Sequence, residues 1–293
     1  VNWVNAIIQG LFLGGLYALF ACGLSLMFGV MRIINLAHGD IAILGAFLVY
    51  EVTTRLHVSP FLAILPVLPV MLALGYLLQK TLLARSLRSG PLIPLLTTFG
   101  LSIVIQNGLL QGFSPDVRSL GAKAGSIATG SWKITDQLSI PQIGVLVLVV
   151  AIAVLGGLQL LLQRTGFGRE MRAAAQDPDT AALVGIPASS VYARATAIAV
   201  VTATIAGAFL AIRSTFDPGS GPILLIFAFE AVVIGGLGSL WGTLIGGIVL
   251  GVAQTIGAVI NPQYSILAGH LVFLVILATP QLRSFISRRA VAA

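Results

Sequence analysis

Long runs without a charged residue set the pattern of this chain. Asp, Glu, Lys and Arg are absent from Val1 to Met31, Leu56 to Gln79, Ser89 to Pro115, Gln137 to Gln163, Ala195 to Ile212 and Ala231 to Leu282. A helix needs about 20 apolar residues to cross a hydrocarbon layer. Most of these runs therefore predict one crossing, and the last predicts two or more. Ile33–Tyr50 adds another, interrupted by Asp40. Within the runs apolar residues face every side, as in Val145–Leu162, whereas barrel strands alternate apolar and polar positions. A helix also satisfies its own backbone in lipid. The pattern predicts an all-α integral membrane protein: a polytopic bundle of about eight transmembrane helices.

Composition agrees. Of 293 residues 57% are hydrophobic and only 9% charged, against about a quarter charged in soluble domains. The N-terminal stretch lacks a basic start and is longer than a signal core, so no cleaved signal is expected. Cys22 is the only cysteine, which rules out an internal disulfide. The net charge of +7 does not point to nucleic acid, because the basic residues cluster at span ends. Lys80, Arg85 and Arg88 form one group, Arg164, Arg169, Arg172 and Arg194 a second, and Arg283, Arg288 and Arg289 a third. Such clusters favour the cytoplasm. Segment 80–90, segment 164–194 and the C-terminal tail are therefore expected inside, with 114–137 and 213–222 outside. The region 223–282 must then cross an odd number of times, and three crossings fit if one is short or broken.

The chain reads as a single membrane domain, 1–293. Within it the inside loop 164–190 has its own organisation. Arg169–Gln176 are strong helix formers ending at Asp177-Pro178. Asp177 can cap a second helix, Asp179–Val184, with Pro178 in its first position. That helix should stop at Gly185, with Pro187 just beyond. Its apolar side, Ala181, Leu183 and Val184, needs a groove, supplied either by the same chain or by another. The outside loop 114–137 reads as a plain connector, as a cover over the mouth of the protein, or as a contact for an external partner.

Polar residues inside the apolar spans are the remaining chemistry. Asn35, His38 and Asp40 interrupt one span. Such groups are costly in lipid and usually face a cavity or a partner. They either line a translocation path or pin a broken helix, with Asp40 and Arg32 able to pair. Glu230 can bind a solute ammonium, pair with Arg213, or sit at a helix end. Gln106 and Asn107 either bond across helices or line the path, as do Thr97, Thr98 and Ser102 more weakly. Gly235, Gly236, Gly238, Gly242 and Gly246 either let helices approach closely or break one. His57 and His270 suggest no role. No metal-ligand spacing and no Gly-x-Ser-x-Gly elbow occurs. A G-x-x-x-x-G-K-[ST] phosphate loop is also absent, so any ATP that drives this chain is bound by another polypeptide.

Three segments carry a family resemblance. Gly15–Asp40 ends in M-R-I-I-N-L-A-H-G-D, Gly168–Pro187 contains R-A-A-A-Q-D and A-L-V-G-I, and Ala231–Gly251 reads A-V-V-I-G-G-L-G-S-L-W-G-T-L-I-G-G-I-V-L-G. In this order they resemble the permeases of branched-chain amino acid ABC importers of the LivH type. The resemblance implies a second permease subunit, usually a different one, together with two cytoplasmic ATPases and an extracytoplasmic solute-binding protein. ATP and Mg would be used by the ATPases, with no cofactor on this chain. It implies ATPase coupling through Arg169, Glu170, Arg172, Ala173, Asp177, Ala181, Gly185 and Ile186. It also implies a multi-pass protein of a prokaryotic cell membrane. Related permeases serve urea, short amides and other small organic acids. An ion-coupled secondary transporter, with Asp40 and Glu230 as its carboxylates, is the alternative outside this family. An intramembrane enzyme has no catalytic constellation to support it.

Overall fold

The computed structural model describes residues 2–291 except 88, 91, 136 and 137, with the backbone alone at 2, 134, 135, 138 and 280–291. Arg88 of the first basic cluster lies outside the described residues, as do the side chains of Arg283, Arg288 and Arg289. The helices are α1 (Asn2–Met31), α2 (His38–Leu56), α3 (Pro60–Leu78), α4 (Ala84–Leu87), α5 (Ile93–Phe113), α6 (Ser126–Thr129) and α7 (Gln142–Arg164). They continue with α8 (Gly166–Gln176), α9 (Pro178–Leu183), α10 (Ala188–Arg213), α11 (Gly221–Gly235), α12 (Leu240–Ile260) and α13 (Tyr264–Val291). A π-helical stretch, Gln79–Leu83, joins α3 to α4, so that Pro60–Leu87 forms one continuous span.

Six helices are long and apolar enough to cross a membrane, and α11 and the apolar part of α13 are shorter. With α2, which carries Asp40 in its first turn, they form the expected helical bundle, in which α11 and the apolar part of α13 are short. Three helices, α11 to α13, fill the region for which the charge pattern required an odd number.

The centre is built on α1 and α10, each with 83% of its most apolar window buried. The outer helices α3, α5 and α7 have only 22% buried and turn Leu65, Leu96, Val104 and Val149 outward. An all-round apolar helix suits both environments, which is why neither centre nor rim shows amphipathic periodicity.

One end of the bundle carries the basic elbow α8–α9. The other carries the loop between α5 and α7, and this loop is ordered. It contains α6 and an antiparallel hairpin of β1 (Ser131–Thr135) and β2 (Leu138–Pro141), in register through Trp132 and Ile140. These are the only strands among the described residues. Arg118 and Phe216 exchange backbone hydrogen bonds, and Leu120 N–H donates to Ala211 O. Phe216 is wedged against Phe47 and Tyr50, and Arg118 donates to Tyr50 Oη at 3.2 Å. The loop thus covers the ends of α2 and α10.

Candidate functional site

The first polar site is the break between α1 and α2. Residues 32–37 are non-helical, and α2 then starts against the middle of α1, where His38 Nε2 lies 2.8 Å from Phe20 O. Asn35 Oδ1 accepts the Ala37 amide at 3.0 Å, and Thr98 Oγ1 accepts the Leu36 amide at 3.1 Å. These bonds satisfy backbone groups that the break would otherwise leave bare in lipid. Asp40 is 1% exposed. Its Oδ2 accepts from Ser102 Oγ at 2.6 Å, and Ser102 in turn accepts from Gln106 Nε2 at 3.1 Å. Asp40 pairs with Ser102 of α5 and not with Arg32. Gly221, the first residue of α11, packs so closely on Asp40 that a Cβ there would overlap Oδ1. The carboxylate therefore stands in the first turn of α2 and beside the start of α11. Both positions are favourable for an anion, because helix N-termini carry partial positive charge. Asn107 does not join this cluster. It is exposed and bonds back to Ile103 O.

A second polar cluster joins α1, α11, α12 and α13. Tyr17 Oη donates to Gln254 Oε1 at 2.6 Å. Glu230, 3% exposed, meets His270 Nδ1 at 2.5 Å. His270 also stacks on Phe227, whose ring packs on Tyr17. Pairing of Glu230 with Arg213 is overturned, because Arg213 instead donates to Phe12 O at 3.1 Å. His270, assigned no role from sequence, is the actual partner. The signal available in the sequence was that an ionisable group inside a span seeks another.

The glycines of the late segment serve two contacts. Gly242 and Gly246 lie against Gly235 and Ala231 of α11, while Gly247 and Gly251 lie against Gly14, Ala18 and Gly10 of α1. Between α11 and α12 the chain turns through Gly236 and Gly238, with φ of 92° and 84°. Ser239 then caps α12 by accepting the Gly242 amide at 3.1 Å.

The elbow is the third site. Thr165 caps α8 through the Gly168 amide. Asp177 Oδ1 accepts the amides of Asp179 and Thr180 at 3.1 Å, and Thr180 Oγ1 donates to Oδ2 at 2.5 Å. These bonds to the charged form, the Thr180 hydroxyl first, hold the Asp177 carboxyl below its usual range. α9 ends at Gly185, with φ 82°, and Ile186 N–H closes back on Ala181 O at 3.0 Å, as helix-ending glycines do. Glu170 pairs with Arg194 of α10 at 2.6 Å, the Arg194 guanidinium lies over Phe167, and Arg172 bonds Leu162 O. Arg169 and Ala173 lie on the same helix without partners of this kind. The apolar side of α9 is divided: Ala181 is 4% exposed, but Leu183 is 87% and Val184 72% exposed. The chain's own groove takes Ala181 alone.

Among the described residues no cluster of His, Cys, Asp or Glu could hold a metal. A bundle of apolar helices with paired polar groups inside and a braced, apolar-tipped elbow at one end defines a polytopic membrane protein of the transport type. The family described as branched-chain amino acid transport system, permease component, matches residues 6–279. BraD of Pseudomonas aeruginosa, a high-affinity branched-chain amino acid transport system permease protein, is 31% identical over 95% of this chain and 94% of its own length. LivH of Escherichia coli, of the same description, is 27% identical over 95% of this chain and 94% of its own. The fructose import permease FrcC of Rhizobium meliloti is 26% identical over 85% of this chain and 70% of its own. No solved structure matches the chain significantly. The chain belongs to the branched-chain amino acid transport permease family.

Proposed function

We propose that this chain is the membrane-spanning subunit of an ATP-driven importer of small amino-acid-like solutes, with branched-chain amino acids as cargo. It works by alternating access beside a second permease, fed by an extracytoplasmic binding protein. Two ATPase subunits attach at the elbow, which lies on the cytoplasmic side with the C-terminal tail. The observation that carries this reading is the exposure of Leu183 and Val184 on a rigid mount. An apolar pair at the tip of a doubly capped helix is unfavourable in water and calls for a partner's groove. The basic residues around it, Arg164, Arg169, Arg172 and Arg194, agree with a cytoplasmic side.

The elbow can transmit motion because it is braced. Glu170–Arg194 ties α8 to α10, α10 packs along α2 through Gly207 against Ala42, and α2 carries Asp40. A displacement of α9 by the ATPases moves α8, and through the ion pair it tilts α10 and α2. Each nucleotide state must favour a different arrangement of this unit for transport to be coupled. Asn35 and His38 are committed to backbone groups, so they act here as pins of the break. Asp40 and Glu230 hold helices together, and Gln106 supports Ser102 from within α5.

The test is reconstitution with the ATPases and the binding protein, followed by ATP-dependent uptake of labelled leucine. Sidedness is read in vesicles that hold the permease without its ATPases, with Leu183→Cys and an impermeant maleimide, because the native thiol of Cys22 is buried. ATP-dependent uptake and labelling in inverted vesicles alone are expected. Uptake by this chain alone, driven by an ion gradient and indifferent to ATP, would overturn the proposal.

A further inference from the structure

Beside the elbow lies a cleft of about 280 Å³ that the transport reading does not use. Four elements wall it: α1, α7, α8 and the start of α12 with the turn before it. Its polar groups are the Ser25 hydroxyl, the Gln159 and Gln163 amides and the Arg172 guanidinium; Leu26, Val30, Met171 and Leu240 supply an apolar wall. Gln159 and Gln163 are one turn apart on α7, on the same face. Neither amide makes a hydrogen bond among the described residues. Ser25 is fully buried, and its Oγ also has no partner. Buried hydroxyls are usually satisfied, and of the nine buried side-chain atoms without a partner among the described residues the Ser25 Oγ is the one whose residue lines this cleft.

The chemistry of the wall selects the ligand. All four polar side chains can donate hydrogen bonds, Arg172 carries a fixed positive charge while one of its nitrogens stays on Leu162 O, and no acidic side chain lines the cleft. A guanidinium matches a carboxylate with its fork of donors. The apolar wall fits a short aliphatic body. The volume lies just below the roughly 300–1,000 Å³ of small-molecule sites, which suits a small solute. We infer that this cleft binds a small aliphatic carboxylate, such as a branched-chain amino acid or its 2-oxo acid. A ligand there touches α8 through Met171 and Arg172 while resting on α1 and α7. It would hold the elbow against the bundle, so that accumulated product slows import from the cytoplasmic side. This regulatory half rests on the importer reading above; the binding half does not.

The experiment has two arms. In the first, the purified full-length chain in detergent is titrated calorimetrically with leucine, 4-methyl-2-oxopentanoate, leucinamide and isopentylamine. The two carboxylates should bind one per chain, and the two compounds lacking a carboxylate should not. Binding of only one carboxylate supports the site and identifies its source. Gln159→Glu places a like charge against the ligand and should weaken binding at least about tenfold. Ser25→Ala should weaken it several-fold, with the melting temperature of both variants kept near the native value. Equal binding of leucinamide, no binding at millimolar concentration, or native affinity in both variants overturns the site. In the second arm the complete transporter is reconstituted with leucine inside the vesicles. Loading should slow ATP-dependent import in the native protein and not in Ser25→Ala. Unchanged import on loading, with binding intact, overturns the regulatory half. Absence of any ATP-dependent import counts against the importer reading and leaves the binding result standing.

Discussion

Leu183→Asp should detach the ATPase subunits without unfolding the permease. The Leu183 side chain is 87% exposed and its neighbour Val184 is 72% exposed, so neither contributes much to the chain's own stability. Surface substitutions of this kind usually change it by no more than about 0.5 kcal/mol. Nearly all of the apolar surface of the pair is free to be buried by a partner. Complete burial of a Leu or Val side chain is worth about 1.5–3 kcal/mol. Ordering and incomplete desolvation at an interface reduce that figure. A combined contribution of about 2–4 kcal/mol is a sound expectation for the pair, and burying an unpaired carboxylate instead would add to the loss. At about 1.4 kcal/mol per tenfold, affinity for the ATPase should fall at least about tenfold for Leu183→Asp and on the order of a hundredfold for the double variant with Val184→Asp. The assay is co-purification from membranes, followed by titration of the ATPase onto the immobilised permease. A melting curve of the permease alone serves as the fold control. Ala181→Leu is the informative contrast. Ala181 is 4% exposed, so the larger side chain should disturb the elbow's own seat as overpacking does. If Leu183→Asp, Val184→Asp and the double variant all bind ATPase with native affinity, the exposed pair is not the docking surface, and the reasoning from exposure to partner fails.

Four further outcomes follow from the same geometry. Ser102→Ala leaves Asp40 Oδ2 without its donor and should lower the melting temperature by the equivalent of about 1–3 kcal/mol; a melt unchanged from native would show that Asp40 draws nothing from α5. Gly247→Val should prevent accumulation of folded protein, because even its Cβ would fall 2.7 Å from Gly14 O and 2.9 Å from Ala18 N. Gly157→Ala, which meets nothing within 4 Å, should be silent in the same expression assay. Asp177→Ala should speed amide exchange across Pro178–Leu183 several-fold through loss of the cap. The Asp177 carboxyl is held below its usual range, so its contribution is present above the unfolded carboxylate value and fades as pH falls through the folded one. Exchange of the native protein should therefore approach that of the variant only below the ordinary carboxylate range, and a pH-independent difference would contradict the assignment. Finally, Gly221→Ala should destabilise the bundle, and a double-mutant cycle with Asp40→Ala should recover part of the loss, since the added methyl group overlaps that carboxylate.

What the residues alone could convey depended on how local the signal was. The elbow was readable almost residue by residue. Asp177-Pro178 starts α9, and Gly185, in the left-handed region at φ 82°, ends it. Capping acts over three or four positions and needs nothing from the rest of the fold. The spans were readable for a similar reason, since lipid demands length and uniform apolarity from each helix separately. The Glu230–His270 pair was missed although both ionisable groups lie inside spans, because forty residues separate its members and no local spacing joins them. The charge of Arg213 drew attention instead, yet in the fold it closes onto Phe12 O. The π-helical stretch Gln79–Leu83 carries no compositional mark. The loop between α5 and α7 could have been a connector; its role as a cover depends on the seating of Phe216 between Phe47 and Tyr50, which no short-range pattern encodes.

The break at Asn35–Asp40 shows why such partial reading is inherent to this architecture. A buried carboxylate and a missing helical turn each look like a defect when taken separately in lipid, and each invites a functional explanation. In the fold they offset one another. Ending α1 at Met31 and restarting at His38 brings an N-terminus into the bundle, where its free amides favour an anion. Asp40 stands in that first turn, where Ser102 donates to Oδ2 and Oδ1 has no hydrogen-bond partner among the described residues. The start of α11 then approaches the same carboxylate, which it can do only because Gly39 and Gly221 lack side chains. The interrupted span therefore follows from the arrival of a second interrupted segment more than 180 positions later. The carboxylate that joins them links α2, α5 and α11 into the unit that Arg194 and Glu170 connect, through α10, to the elbow.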